Sequence, residues 1–162
     1  MNITEIFNLA VKKHKNNNLK EAQDLYKQIL RIDPEQTHTQ NNLGVLLYSS
    51  KNYEKAKDLF EKVIVSNPDF ADAHHNLGRL FWDNKEYQKA IFCYENAIKI
   101  KPNYIDAHFN LGLVFKEIGI YQKSIDCFEK IIEIDPEYEA AYNNCAALLG
   151  DTRDTKQAKI YL

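Results

Sequence analysis

Histidines 74 and 108 sit in two matching strings, Asp72-Ala73-His74 and Asp106-Ala107-His108, and imidazole beside carboxylate is the side-chain chemistry of divalent metal sites. Both strings, however, belong to one longer repeated segment, Asp-Ala-His-x-Asn-Leu-Gly, and no third ligand with zinc-like spacing follows either copy. Repetition accounts for them, so neither a metal nor another cofactor is expected. Asp83 and Glu117 have the chemistry of an acid and a base, but nothing in the chain pairs them in a closed pocket. The chain also has no phosphate loop, nucleophile elbow or H-E-x-x-H string. No catalytic residue is assigned and no enzymatic activity is expected.

Asparagine supplies a different chemistry. Asn8, Asn42, Asn76, Asn110 and Asn144 recur at intervals of 34 residues. A side-chain amide carries both a carbonyl acceptor and an NH₂ donor, so it can pair with the C=O and N–H of any peptide backbone. Asparagine inside a helix costs up to about 0.7 kcal/mol relative to alanine, so five copies give up roughly 3 kcal/mol of local preference. Two uses of the amides stay open: contact with a ligand backbone, or bonds to neighbouring helices.

The elements that position these residues follow from the same period. Pro34, Pro68, Pro102 and Pro136 are each 34 residues apart, the mark of one unit copied in tandem. First positions at Ile3, Thr37, Ala71, Ile105 and Glu139 give repeats 3–36, 37–70, 71–104 and 105–138 and a partial repeat 139–162, read as one array over 1–162. Apolar residues at positions 7, 10 and 11 and at 20, 23, 24 and 27 have the three-and-four spacing of amphipathic helices, so each unit holds two, A and B. Asn16 to Asn18, Ser49 to Asn52 and Asn84 to Glu86 separate A from B, and Asp33-Pro34, Asn67-Pro68 and Asp135-Pro136 stop helix B.

Small residues recur at position 8 (Ala10, Gly44, Gly78, Gly112, Ala146) and position 20 (Ala22, Ala56, Ala90, Ser124, Ala158). Large ones recur at position 11 (Leu47, Phe81, Phe115, Leu149, with Lys13 as the exception) and position 24 (Tyr26, Phe60, Tyr94, Phe128, Leu162). With proline at position 32, this pattern resembles the tetratricopeptide repeat (TPR) family. The resemblance implies an all-α fold, a right-handed superhelix of antiparallel helix pairs whose A helices line a concave groove. It also implies that positions 2, 5, 6, 9, 12 and 13 face a ligand. The groove residues are then the asparagine row together with Asn41, Tyr48, His75, Arg79, Trp82 and Lys116. If A helices stack roughly 10 Å apart, an extended peptide advancing about 3.3 Å per residue meets an asparagine at about every third residue.

The row is similar to that in the repeats of O-linked N-acetylglucosamine transferase, where it holds peptide backbone. The carboxylate clamp of chaperone-binding TPR proteins is not matched: Phe7, Val11 and Asp72 stand where it needs lysine or asparagine, and only Asn42 fits. The expected function is a protein-interaction scaffold for an extended peptide segment or protein partner. Alternatives are the targeting module of a larger glycosyl- or sulfotransferase, or self-association through an uncapped C-terminal end, because the fifth unit reaches only the start of helix B.

Bulk composition narrows the partners. A formal net charge of −2, with 27% charged residues, offers no general attraction to nucleic acid or anionic lipid. No stretch from Met1 to Lys15 resembles a signal peptide and no window suits a membrane span, so a cytoplasmic location is expected. Cys93 and Cys127 share one repeat position and Cys145 replaces a leucine. Stacking separates them beyond disulfide reach, so all three are expected as small buried apolar groups.

Overall fold

The computed structural model describes residues 2–151; the expected positions Ala158 and Leu162 and the start of a fifth helix B at Thr155 lie outside them. The described residues form nine helices and no strand: α1 (Ile3–Lys15), α2 (Leu19–Ile32), α3 (Thr37–Ser49), α4 (Tyr53–Ser66), α5 (Ala71–Asp83), α6 (Tyr87–Ile100), α7 (Ile105–Glu117), α8 (Tyr121–Ile134) and α9 (Glu139–Asp151). The odd-numbered helices are the A helices and the even-numbered ones the B helices. Two compact units part between Leu80 and Phe81, within α5.

Local chemistry sets the helix ends. At the first start, the Asn2 side chain accepts from the Glu5 N–H at 2.9 Å while the Glu5 carboxylate accepts from the Asn2 N–H at 3.0 Å, a reciprocal capping box. Each of α1, α3, α5 and α7 stops in the same way. The residue at repeat position 15 turns left-handed, at Asn17 (φ 60°), Lys51 (60°), Lys85 (59°) and Gly119 (78°). The next N–H then reaches back five residues, from Asn18 to Lys13, Asn52 to Leu47, Glu86 to Phe81 and Ile120 to Phe115. This is the Schellman arrangement, which satisfies carbonyls the helix end leaves open. It reverses the chain within three residues, so α2, α4 and α8 fold back antiparallel on α1, α3 and α7. Ser49, expected in the break, is instead the last residue of α3, its hydroxyl donating to the Val45 carbonyl at 3.0 Å.

The B helices end where the prolines require. Their caps Asp33, Asn67, Lys101 and Asp135 leave helical geometry one residue before each proline. The following A helix is tied to that turn by its fourth residue. Gln40 donates from Nε2 to the Pro34 carbonyl, His74 Nε2 bonds the Pro68 carbonyl at 2.9 Å, and His108 Nε2 bonds the Pro102 carbonyl at 2.8 Å. A carbonyl only accepts, so both imidazoles carry their proton on Nε2. This assigns the two histidines of the Asp-Ala-His strings a structural bond.

In each unit the core is built from position 24 against positions 8 and 20. Tyr26 and Phe60 in the first unit, and Tyr94 and Phe128 in the second, are at most 1% exposed. Burying a ring of this size is worth roughly 1.5–3 kcal/mol. Phe60 lies over Gly44 and Phe128 over Gly112, with contacts so close that an added Cβ would meet the rings at 2.6 and 2.9 Å. Ser124, the one departure from alanine at position 20, donates to the Gly112 carbonyl at 2.7 Å, so its buried hydroxyl is satisfied. Lys13 at position 11 stays half-buried and pairs with Glu21 at 2.6 Å. In the second unit Ile125, Phe128, Ile131, Ala141, Cys145, Leu148 and Leu149 close the core between α8 and α9. All three cysteines are buried free thiols, and burial pushes Cys127 and Cys145 up to about 12. Among the described residues no helix is long and apolar enough to cross a membrane.

Candidate protein-interaction surface

Within the first unit, the A helices are linked side by side by polar groups from the expected groove positions. Asn76 on α5 donates from Nδ2 to the Asn41 carbonyl oxygen on α3 at 3.0 Å. One turn further along α5, the Arg79 guanidinium stacks 4.8 Å from the centre of the Tyr48 ring, again on α3. Tyr48 in turn packs against Tyr53 at 5.6 Å, and His38 meets Phe70 edge-on at 5.0 Å. Asn42 hydrogen-bonds Tyr26, whose phenol burial pushes up to about 12 while that bond pulls it down. Tyr26 also lies 3.4 Å from Nδ1 of His14, and burial lowers the pKa of that imidazole.

In the second unit, Lys116 on α7 donates to the Asn144 carbonyl oxygen on α9 at 3.4 Å, and Asn144 donates from Nδ2 to the Ala140 carbonyl at 2.8 Å. Trp82 packs on Tyr87 at 5.6 Å, so it is anchored by the helix B of its own repeat. Phe109 contacts Phe128 and Tyr138 at 5.6 and 5.9 Å.

Exposure divides the expected residues into two groups. Asn8 is exposed; Asn42, Asn76, Asn110, Asn144, Tyr48, Arg79, Trp82 and Lys116 are half-buried, with part of each surface open to solvent. Asn41 and His75 are buried, at 5% and 7% exposure. Asn41 therefore acts by positioning the Asn76 amide. Of the two uses left open for the asparagines, the bond to a neighbouring helix is present at Asn76, whose NH₂ group is held by Asn41.

The sequence reading did not anticipate two further grooves, one in each unit. In the first unit a groove of about 350 Å³ is floored by Leu43, Leu47 and Leu59 and rimmed by Lys27, Lys55 and Asp58. A similar one of about 360 Å³ in the second unit lies over Leu111 and Cys127, between Lys99 and Lys130. The only sequence signal was the recurrence of leucine at position 7, whose side chains are buried and form part of the groove floor. Among the described residues, no group of three or more His, Cys, Asp or Glu side chains is placed to hold a metal ion.

Sequence descriptions of the tetratricopeptide repeat match residues 14–80 and 105–138, and a TPR repeat description matches 78–119. The chain belongs to the tetratricopeptide repeat family. Solved TPR-like structures agree with that assignment. The crystal structure of MamA is 28% identical, with 94% of this chain and 89% of that one covered at a TM-score of 0.83. PilF of Pseudomonas aeruginosa is 21% identical over 98% of this chain and 72% of its own, with a TM-score of 0.90. YrrB, described as a TPR protein with an unusual peptide-binding site, is 21% identical over 96% of this chain and 80% of its own, with a TM-score of 0.75. No curated protein matches this TPR chain. The family assignment fixes the all-α helix-pair fold and leaves the ligand to be argued from the site.

Proposed function

We propose that this TPR chain is a protein-interaction scaffold, one array of repeats 3–36, 37–70, 71–104, 105–138 and 139–162, which binds an extended peptide segment of a partner protein along its A-helix faces. The observation that carries this reading is the Asn41–Asn76 pair. A buried amide holds a half-buried one by its NH₂ group, and to the carbonyl oxygen fixed by that bond we assign acceptance of a backbone N–H. An acceptor fixed before binding loses little entropy when the ligand arrives, which is how preorganised sites gain affinity. Asn42 and Asn76 serve the first unit and Asn110 and Asn144 the second, with Asn8 at the leading edge. Tyr48, Arg79, Trp82 and Lys116 supply side-chain contacts, and His75 supports the surface from beneath. The described TPR peptide-binding site of YrrB makes peptide capture a natural use of such a scaffold.

The test is selection of a random peptide display library on the full chain, followed by calorimetric titration of the selected peptides. Replacing Asn76 and Asn110 together with alanine removes two backbone contacts, each worth about 1 kcal/mol. The expected result is at least a tenfold loss of affinity with the helical circular dichroism unchanged. Unaltered affinity in the double variant refutes the role given to the amides.

A further inference from the structure

Tyr26 is 0% exposed, so its phenol hydroxyl must be satisfied inside the first unit, and it has two partners on two other helices. One is Nδ1 of His14 on α1, 3.4 Å away, with the two rings edge-on at 6.1 Å. The other is the side chain of Asn42 on α3. The Asn42 bond lowers the Tyr26 pKa, which is the effect of a donor on a phenolate, so the NH₂ end of the amide meets the phenol oxygen. The hydroxyl proton is then left for His14 Nδ1, which accepts it only while the imidazole is neutral.

The equivalent pair in the second unit is wired the other way. His14 and Asn42 occupy repeat position 12 and position 6 of the next repeat, and Lys116 and Asn144 occupy the same two positions. Lysine only donates, and its Nζ draws the carbonyl oxygen of Asn144 to 3.4 Å. One chain therefore holds both orientations of this amide, NH₂ toward a phenol backed by imidazole and oxygen toward an ammonium.

A proton on His14 converts the first arrangement into the second. Nδ1 becomes a donor to the phenol oxygen, and the phenol, which keeps its own proton up to about pH 12, must donate onward. The acceptor on the Asn42 side chain is its carbonyl oxygen, so the amide turns over. From this wiring we infer that His14, acting through Tyr26, is a positioning residue for the Asn42 amide, and that protonation reverses the end Asn42 offers to a ligand. On α1 the neighbouring cations are Lys12, Lys13 and Lys15, with Lys13 held by Glu21 of α2 at 2.6 Å. From α2 the ring meets Tyr26, and α3 reaches the phenol through uncharged Asn42. Burial alone lowers the imidazole pKa, so the reversal falls below pH 6.5. The consequence for binding rests on the peptide reading above: a peptide N–H loses its acceptor at Asn42 as the pH falls. The reversal itself belongs to the free chain.

The experiment follows the full chain by NMR from about pH 8 to about pH 5. The expected result is a nuclear Overhauser contact between the Asn42 side-chain amide protons and the Tyr26 ring at the upper limit. It is lost on acidification with the midpoint of the His14 imidazole resonances. In His14→Lys, which copies Lys116, the contact is absent at every pH. In Tyr26→Phe the Asn42 resonances no longer follow His14. Asn42 resonances that stay fixed while His14 titrates in the native chain overturn the inference, and so does a titration that survives in Tyr26→Phe. An acetylated and amidated peptide of alternating alanine and glutamine, which has no titratable group, is then titrated at both limits. About fivefold weaker binding at the lower pH, absent in His14→Lys, supports the inference as applied to a ligand. Equal affinity at both limits while the amide turns overturns the ligand role of Asn42 and leaves the positioning role standing. Absence of peptide binding counts against the peptide reading, and the amide titration still decides the inference.

Discussion

Replacing Gly44 with alanine places a methyl carbon 2.6 Å from Cε1 of Phe60, with the ring's Cδ1 and Cζ at 3.0 and 3.1 Å. Two effects of opposite sign follow. Glycine to alanine inside a helix normally stabilises by about 0.8–1 kcal/mol. Comfortable carbon contacts begin near 3.5 Å, so the ring must withdraw by about 1 Å or α3 and α4 must part by that much. Phe60 is 1% exposed and its neighbours are close-packed, and overfilling of this kind costs typically 1–3 kcal/mol. The strain outweighs the propensity, so Gly44→Ala is expected to destabilise by about 1 kcal/mol. At this chain length that lowers the melting temperature by roughly 2–4 °C.

The assay is urea unfolding followed by circular dichroism, with two controls. Gly150→Ala, where nothing lies within 4 Å of the added carbon, isolates propensity and should be neutral or stabilising. Combining Gly44→Ala with Phe60→Leu should cost less than the sum of the single changes, because both act on one contact. If Gly44→Ala stabilises as much as Gly150→Ala, the ring does not set the spacing of these helices and the packing argument fails.

Other outcomes follow from the same structure. Lys85→Gly relieves a left-handed residue that ends α5 and should raise stability by about 1 kcal/mol in thermal melts, whereas Gly119→Ala at the equivalent turn should lower it by a similar amount. His74→Ala should cost about 1 kcal/mol of unfolding free energy by leaving the Pro68 carbonyl without its donor, and His74→Gln should recover most of it, as the Gln40 bond to Pro34 shows. Cys127 and Cys145 rise from 9.0 to about 12 and Tyr26 from 10.0 to about 12, so between those limits the folded chain keeps protons that the unfolded chain releases. Their contribution is therefore complete below about pH 9 and lost as the pH rises toward 12; melting temperatures across that range should fall, less steeply in Cys127→Ala. The lowered His14 works in the opposite sense: its contribution is present above its ordinary 6.5 and fades as the pH falls, a dependence that His14→Phe should remove.

The repeat register was legible because each helix pair solves the same packing problem. Positions 8, 20 and 24 carry small and large side chains in a fixed order, and the described A helices begin at Ile3, Thr37, Ala71, Ile105 and Glu139, where that order places them. Three of the four turns were read as breaks, one of them begun a residue early at Ser49, and none as a left-handed end. Gly119 advertises such a conformation and Asn17 tolerates it, but Lys51 and Lys85 adopt it only because the flanking helices must reverse there. The histidines were recognised as part of the repeat without a task, because a bond from a side chain to a proline carbonyl six residues earlier has no signature in residue type. Gln40 and His74 make it with different chemistry.

The sequence by itself determined the family, the starts of the A helices and which residues lie on each A helix, since these depend on local spacing that every copy repeats. Only the tertiary structure decided how those residues are used. It buried Asn41 and His75, turned one end of Asn76 toward a neighbouring helix, and laid Arg79 over the Tyr48 ring. Those outcomes depend on which side chains adjacent repeats bring within a few ångströms of one another. Periodicity gives each residue its place on a helix and carries no information about that distance.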